Sequence, residues 1–216
     1  MNRIYKLLPK YAFAPILASL VLNVVVYFGS RIVTTGMYHH NFSIFIDEWL
    51  PFLPEWIIVY VLAYIAWVIG FIVIGRENSK VCYEVFAAEQ VAKLLCLICF
   101  IVIPSTIVRP EITGNGFCEW LSRLIYSADS PDNLFPSIHC LESWICFRGA
   151  MRCEKPGRAY KVIMFIAALL VFASTLLVKQ HVFVDVLGGV AAVEIGLFLS
   201  RRWNLSRIYS NPENKK

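Results

Sequence analysis

The chain has 216 residues, 58% of them hydrophobic, 14% aromatic and 16% charged, with a formal net charge of +5 at neutral pH. A mean hydropathy of +0.64 lies outside the range of soluble globular domains, so the composition excludes a soluble enzyme and indicates an integral membrane protein. The positive charge is dispersed between apolar runs, which argues against a nucleic-acid-binding surface.

A spanning helix takes about 20 mostly apolar residues. In chain order the candidates are residues 11–34, 54–75, 82–104, 136–151, 160–178 and 182–200, the fourth being short and polar for a span. The first run is too long for the apolar part of a signal peptide and no small-residue cleavage site follows it, so a retained helix is expected. The stretch "HHNFSIFIDEWLPFLPEW" mixes aromatics, acids and prolines, which suits a helix in the outer interface; His39 and His40 within it are expected to be solvated. Span three carries Glu84 and an i, i+4 pair, Glu89 and Lys93, able to neutralise itself on one helix face. Residues 105–135 form the longest connection, of a length that usually has a function. The expected fold is all-α, one membrane-embedded domain over residues 1–216 built as a bundle of six transmembrane helices.

Lys and Arg mark cytoplasmic loops. Arg3, Lys6 and Lys10 precede span one, Arg76 and Lys80 follow span two, Arg148, Arg152, Lys155, Arg158 and Lys161 surround the gap after span four, and Arg201, Arg202, Arg207, Lys215 and Lys216 follow span six. With six spans all these groups share one side, which puts both termini in the cytoplasm. Loops 35–53 and 105–135 and the turn containing "KQH" then face outward. Of the seven cysteines, most lie inside spans as small apolar filler. A Cys118–Cys140 disulfide on the outer side is conceivable, but free thiols are the expectation, and no CxxC beside His suggests zinc.

Two His-bearing stretches, "NLFPSIHC" and "KQHVFVD", meet that outer edge. In the first, Pro136 suits a helix start, leaving the N–H groups of Ser137, Ile138 and His139 at a positive helix end that attracts anions. In the second, His181 and Asp185 share a helix face. A carboxylate on one imidazole nitrogen fixes the tautomer and leaves the other nitrogen free to attack. Arg109 ends span three at the same level, where its fork can hold two phosphate oxygens, and Lys179 offers a second cation. An anion cradle, a cation, an oriented nucleophile and a second His able to act as an acid together fit phosphoryl transfer. Each stretch alone is also explained as a hydrogen-bonded helix terminus; their convergence favours chemistry. Paired haem ligation by His139 and His181 is set aside, because both residues lie at helix ends, so no metal and no cofactor are expected.

The segments "IVRP", "FPSIH" and "STLLVKQHVFVD" stand in the order and spacing of three motifs of the type 2 phosphatidic acid phosphatase superfamily, which also includes haloperoxidases. The chain resembles that superfamily over about residues 93–195. The resemblance implies metal-independent removal of phosphate from a lipid through a phosphohistidine. His181 would be the nucleophile, Asp185 its orienting partner, His139 the general acid, and Arg109, Ser137 and the backbone at Ile138 the phosphate pocket. The chain departs from the pattern at three points. Val102 stands where the family has Lys, Ile138 where it usually has Gly, and Ser174-Thr175 where it usually has Ser-Arg. Two cations are therefore missing, and Lys179 is the candidate replacement by charge and position. "ST" ahead of the His, then "FVD" and a Gly pair, also resemble the inositol phosphorylceramide synthase branch, whose members transfer a phosphoryl headgroup to an alcohol. Asp129, Asp132 and Asn133 would then bind a polyol acceptor, although as Asp and Asn before a helix they read first as turn formers. The expected partners are a lipid phosphate substrate and the surrounding membrane lipids. The expected setting is a membrane such as the bacterial cytoplasmic membrane, with the site on its extracytoplasmic face. A lipid-phosphate binder or transporter without catalysis is the remaining alternative.

Overall fold

A computed structural model describes residues 7–210; Arg3, Lys6, Lys215 and Lys216, counted above for topology, lie outside the described residues. In chain order the elements are α1 (Lys10–Thr34, with a π turn at Val25–Gly29), β1 (His40–Asn41), α2 (Phe45–Trp49), α3 (Ile57–Glu77, entered through a 3-10 turn at Pro54–Trp56), α4 (Ser79–Val102), β2 (Ser105–Thr106), α5 (Phe117–Ala128), α6 (Ile138–Arg152), α7 (Arg158–Leu177) and α8 (Phe183–Arg202). A 3-10 turn, Leu205–Tyr209, follows.

Helices α1, α3, α4, α7 and α8 are long and apolar enough to cross a membrane. They turn large apolar side chains outward, among them Leu17, Ile32, Ile65, Val68, Ile163 and Phe198. In water such a belt would be an aggregation surface; lipid makes it the outside of a stable bundle. The run expected as span four is α6, and it has 15 residues, about 22 Å of helix against a hydrocarbon core of about 30 Å. Eight of its residues are buried, Glu142 and Ser143 included. It is a helix of the bundle interior, packed against α3, α7 and α8.

Helix α4 runs through the middle of the bundle, with Cys82, Val85, Phe86, Ala88, Ala92, Cys96 and Phe100 buried along it. Helix α8 makes its closest approach there. A Cβ on Gly196 would stand 2.4 Å from the Ala88 carbonyl oxygen, so only a glycine lets the two backbones come this near. All seven cysteines are free, Cys118 and Cys140 included.

The connection 105–135 is not a bare loop, because it contains the 12-residue α5. Its apolar residues Phe117, Trp120, Leu121, Leu124 and Ile125 recur every three or four positions and form one stripe. A two-stranded parallel pairing, His40 with Ser105 and Asn41 with Thr106, ties the two long connections together. Ser105 Oγ then accepts the N–H groups of Leu134 and Phe135, at 2.9 and 2.8 Å. That bond fixes the approach of the chain to α6.

Candidate active site

The turn between α7 and α8 is built by backbone rules. Helix α7 ends with Lys179 in the left-handed region, φ 52°, a position usually taken by glycine or asparagine. The N–H groups of Gln180 and His181 both return to the Thr175 carbonyl, at 3.0 and 3.1 Å. His181 is thereby set before α8 begins, and Asp185 stands in the first turn of that helix. Asp185 Oδ2 accepts the Val182 N–H at 3.0 Å and lies 3.2 Å from His181 Nδ1. A proton on Nδ1 makes that contact a hydrogen bond and leaves Nε2 as the free lone pair.

Helix α6 begins at Ile138, with Ser137 as N-cap: its Oγ accepts the Cys140 N–H at 3.3 Å. Pro136 therefore stands before the cap and does not open the helix. The Ser137 N–H is not free for an anion, since it donates to the Asp185 carbonyl at 3.0 Å. The backbone donors left at this end are those of Ile138 and His139. The bond from Ser137 to Asp185 also joins the two helix starts. A Cβ on Gly189 would meet the Ser137 carbonyl oxygen at 2.5 Å, and one on Gly188 would meet the Phe135 ring at 2.6 Å, so the glycine pair is what lets α8 lie against the start of α6.

The two imidazoles lie with centroids 5.9 Å apart. His139 stacks on Tyr60 at 4.4 Å, has Trp67 at 5.3 Å and places Nε2 3.2 Å from the Tyr64 hydroxyl. It sits in an aromatic cage, whereas His181 sits against a carboxylate.

Arg109 reaches the same place. Its guanidinium donates to the carbonyls of Tyr126 (3.2 Å) and Asp129 (2.6 Å) and to Gln180 Oε1, and lies 4.4 Å over the Tyr126 ring. The Tyr126 hydroxyl donates to the Val178 carbonyl at 2.7 Å; burial pushes that phenol up to about 12, so it stays a donor at neutral pH. Arg109 thus clasps the end of α5 to the turn between α7 and α8 while its Nε is buried without a partner. Gln180, without an assignable role from sequence alone, is its counterpart and is 1% exposed.

Lys179 is less free than its charge suggests. Its ammonium donates to the carbonyls of Asp47 (2.8 Å) and Leu50 (2.6 Å) at the end of α2. Burial draws it below the ordinary lysine value, with the Asp47 carboxylate opposing. Asp47 in turn accepts the Phe183 N–H at 2.7 Å and the Ile44 N–H at 2.9 Å. The segment expected as an interfacial anchor is therefore also a brace on the start of α8, carried by a residue that sequence reasoning did not single out.

Two cavities share His181. The smaller, about 400 Å³, is bounded by Arg109, Lys179, Asp47 and Glu48. The larger, about 490 Å³, holds both histidines. It runs to the lipid-facing side between α1 and α3, where its lining residues Leu20, Val24, Phe28 and Val68 are more than half exposed. Val102, where the resembled superfamily has Lys, is 68% exposed and lines neither cavity. Lys93 does line the large chamber, but its ammonium is bound by Glu89, by Glu142 Oε1 at 2.7 Å and by the Ser19 carbonyl at 3.1 Å. Arg31 is a further chamber cation, paired with Asp132 at 3.1 Å and with the Tyr27 hydroxyl at 2.9 Å. Asp129 accepts the Tyr27 hydroxyl at 2.6 Å, and Asn133 donates to Ser30 and Thr34. These three loop residues pin the 129–133 turn to α1. Among the described residues no group of three His, Cys, Asp or Glu side chains is spaced to hold a metal. Set against family models, curated proteins and solved structures, the chain matches none of them.

Proposed function

We propose that the protein is a metal-independent lipid phosphate phosphatase acting through a phosphohistidine. The observation that carries the reading is His181, oriented by Asp185 and 5.9 Å from a second imidazole, in a chamber with apolar walls reaching the lipid-facing surface. His181 Nε2 attacks phosphorus and the ester P–O bond breaks. His139 gives a proton to the departing alkoxide, then takes one from the water that cleaves the P–N bond and releases phosphate. The N–H groups of Ile138 and His139 at the start of α6, with Arg109 meeting His181 from the adjoining cavity, steady the phosphoryl oxygens, while Ser137, fully buried as the helix cap, holds that start in place. The lipid chain lies in the gap between α1 and α3.

On this reading α6, shorter than a full span and shielded by the lipid-facing helices, carries the chain across a sixth time and leaves both termini cytoplasmic. The basic residues Arg76, Lys80, Arg152, Lys155 and Arg201 fall on one side, and the site faces the extracytoplasmic side. Transfer to an alcohol is the second reading. Its support is the chamber's volume, beyond what a phosphate and one water need; the engagement of Asp129, Asp132 and Asn133 with α1 counts against a dedicated polyol site there.

The test is release of inorganic phosphate from a panel of lipid monophosphates and diphosphates by detergent-purified protein, with lipid products followed in parallel. Wild type is expected to release phosphate and His181→Ala to release none; equal release by both sinks the phosphohistidine. Headgroup transfer without phosphate release moves the assignment to the second reading. EDTA is expected to change nothing, and inhibition reversed by added divalent metal overturns the metal-independent step.

A further inference from the structure

The large chamber is unbalanced in its hydrogen bonding. Its cations and the Asn133 amide are engaged within the protein: Lys93 with two carboxylates and a carbonyl, Arg31 with Asp132 and Tyr27, and Asn133 with two hydroxyls. Two acceptors on lining residues are not. Asn23 Oδ1 and Glu142 Oε2 are buried with no partner. Glu142 is 5% exposed, and its other oxygen is fixed by Lys93, so the free oxygen is held in place by an ion pair rather than left to turn. A buried acceptor without a donor costs about 1–3 kcal/mol, more when charged, and a ligand that brings a donor recovers that cost.

The position of the free oxygen sets its reach. Glu142 follows His139 by three residues on α6, which places both on one face about 4.5 Å apart along the axis. That is the distance from a reacting phosphate ester to a substituent one or two carbons further along the lipid.

Resting on the phosphatase reading, we infer that the substrate is a lipid phosphate with a free hydrogen-bond donor, a hydroxyl or an amine, on the carbon next to the phosphate-bearing carbon. Glu142 Oε2 and Asn23 Oδ1 receive that donor. Fully esterified glycerolipid backbones bring only carbonyl and ether acceptors to these oxygens, and isoprenoid phosphates bring nothing polar. Both leave the pair unsatisfied.

A matched pair of lipids isolates the donor: 1-oleoyl-2-hydroxy- and 1-oleoyl-2-methoxy-glycerol 3-phosphate, in mixed micelles at equal mole fraction. A site built to bond a hydroxyl discriminates strongly against an analogue without it, so wild type is expected to favour the hydroxyl lipid at least tenfold in kcat/KM. Glu142→Gln keeps an oxygen for Lys93 and turns an amide N–H toward the chamber, so the preference is expected to fall to threefold or less. Asn23→Leu, on a half-buried position of α1, is expected to reduce it in part and carries the test if the Gln variant does not fold. Equal kcat/KM for the two lipids in wild type, or a preference unmoved by both substitutions, overturns the inference. Absence of phosphate release from either lipid sinks the phosphatase reading instead. The preference is then read from the Kd of the same two lipids for wild-type protein, where equal values overturn it.

Discussion

The two helix starts that meet at the site hold their histidines by opposite means. At the turn before α8 the ring is steered by charge: Asp185 faces His181 Nδ1, Asp47 caps Phe183, and Arg109 grips Gln180. At the start of α6 the ring is steered by shape: Tyr60, Tyr64 and Trp67 box His139, with one hydroxyl in reach of Nε2. The difference matches the tasks assigned to them. A nucleophile that becomes cationic gains from an adjacent carboxylate, whereas a group that must yield its proton to an alkoxide is better kept in surroundings that do not favour its charged form.

Substitutions at each start sharpen or break that contrast. Asp185→Asn removes the charge and the tautomer preference and is expected to lower kcat by up to about four orders of magnitude; a rate within tenfold of wild type would remove the carboxylate from the mechanism. His139→Ala is expected to cost about 10²-fold or more on a lipid monophosphate, whose alkoxide needs a proton. On a lipid diphosphate, whose leaving group is already a weak base, the same variant should lose much less, and equal losses on both lipids would show that His139 only fills space. Gly189→Ala drives a methyl into the Ser137 carbonyl and is expected to destabilise the fold by about 1–3 kcal/mol, visible as a lowered Tm; an unchanged Tm would mean that the two starts are not locked together. The smallest effect belongs to Lys179→Ala. With its ammonium on the carbonyls of α2, it should raise KM only a few-fold, and a loss as large as that of Asp185→Asn would restore it as the missing phosphate-binding cation.

What the sequence made legible was whatever repeats or sits close in the chain. Spans such as 11–34, observed as Lys10–Thr34, follow from apolar composition, and the His181–Asp185 contact follows from helical spacing. The amphipathic stripe of α5 was equally present in the residues but lay inside a stretch read as a loop. Pairings between distant segments carry no local signal. Asp47 meets Phe183 from 136 positions away, Arg109 meets Gln180 from 71, and the Ser19–Glu89 bond spans 70. Glu142 lies in the run that is short and polar for a span; only the fold shows that Lys93 holds one of its oxygens and that the other is buried without a partner.

Helix α2 gives the site a mechanical tie to its surroundings. Phe45 and Trp49 project from it, 67% and 83% exposed, and side chains of this kind settle at the level of lipid headgroups. The carbonyls of Asp47 and Leu50 bind the ammonium of Lys179, two residues from His181. Any change in packing at the membrane surface that shifts Trp49 is therefore passed through two hydrogen bonds to the turn that carries the proposed nucleophile. On the phosphatase reading, turnover should then register the lateral pressure of the leaflet as well as the amount of substrate dissolved in it.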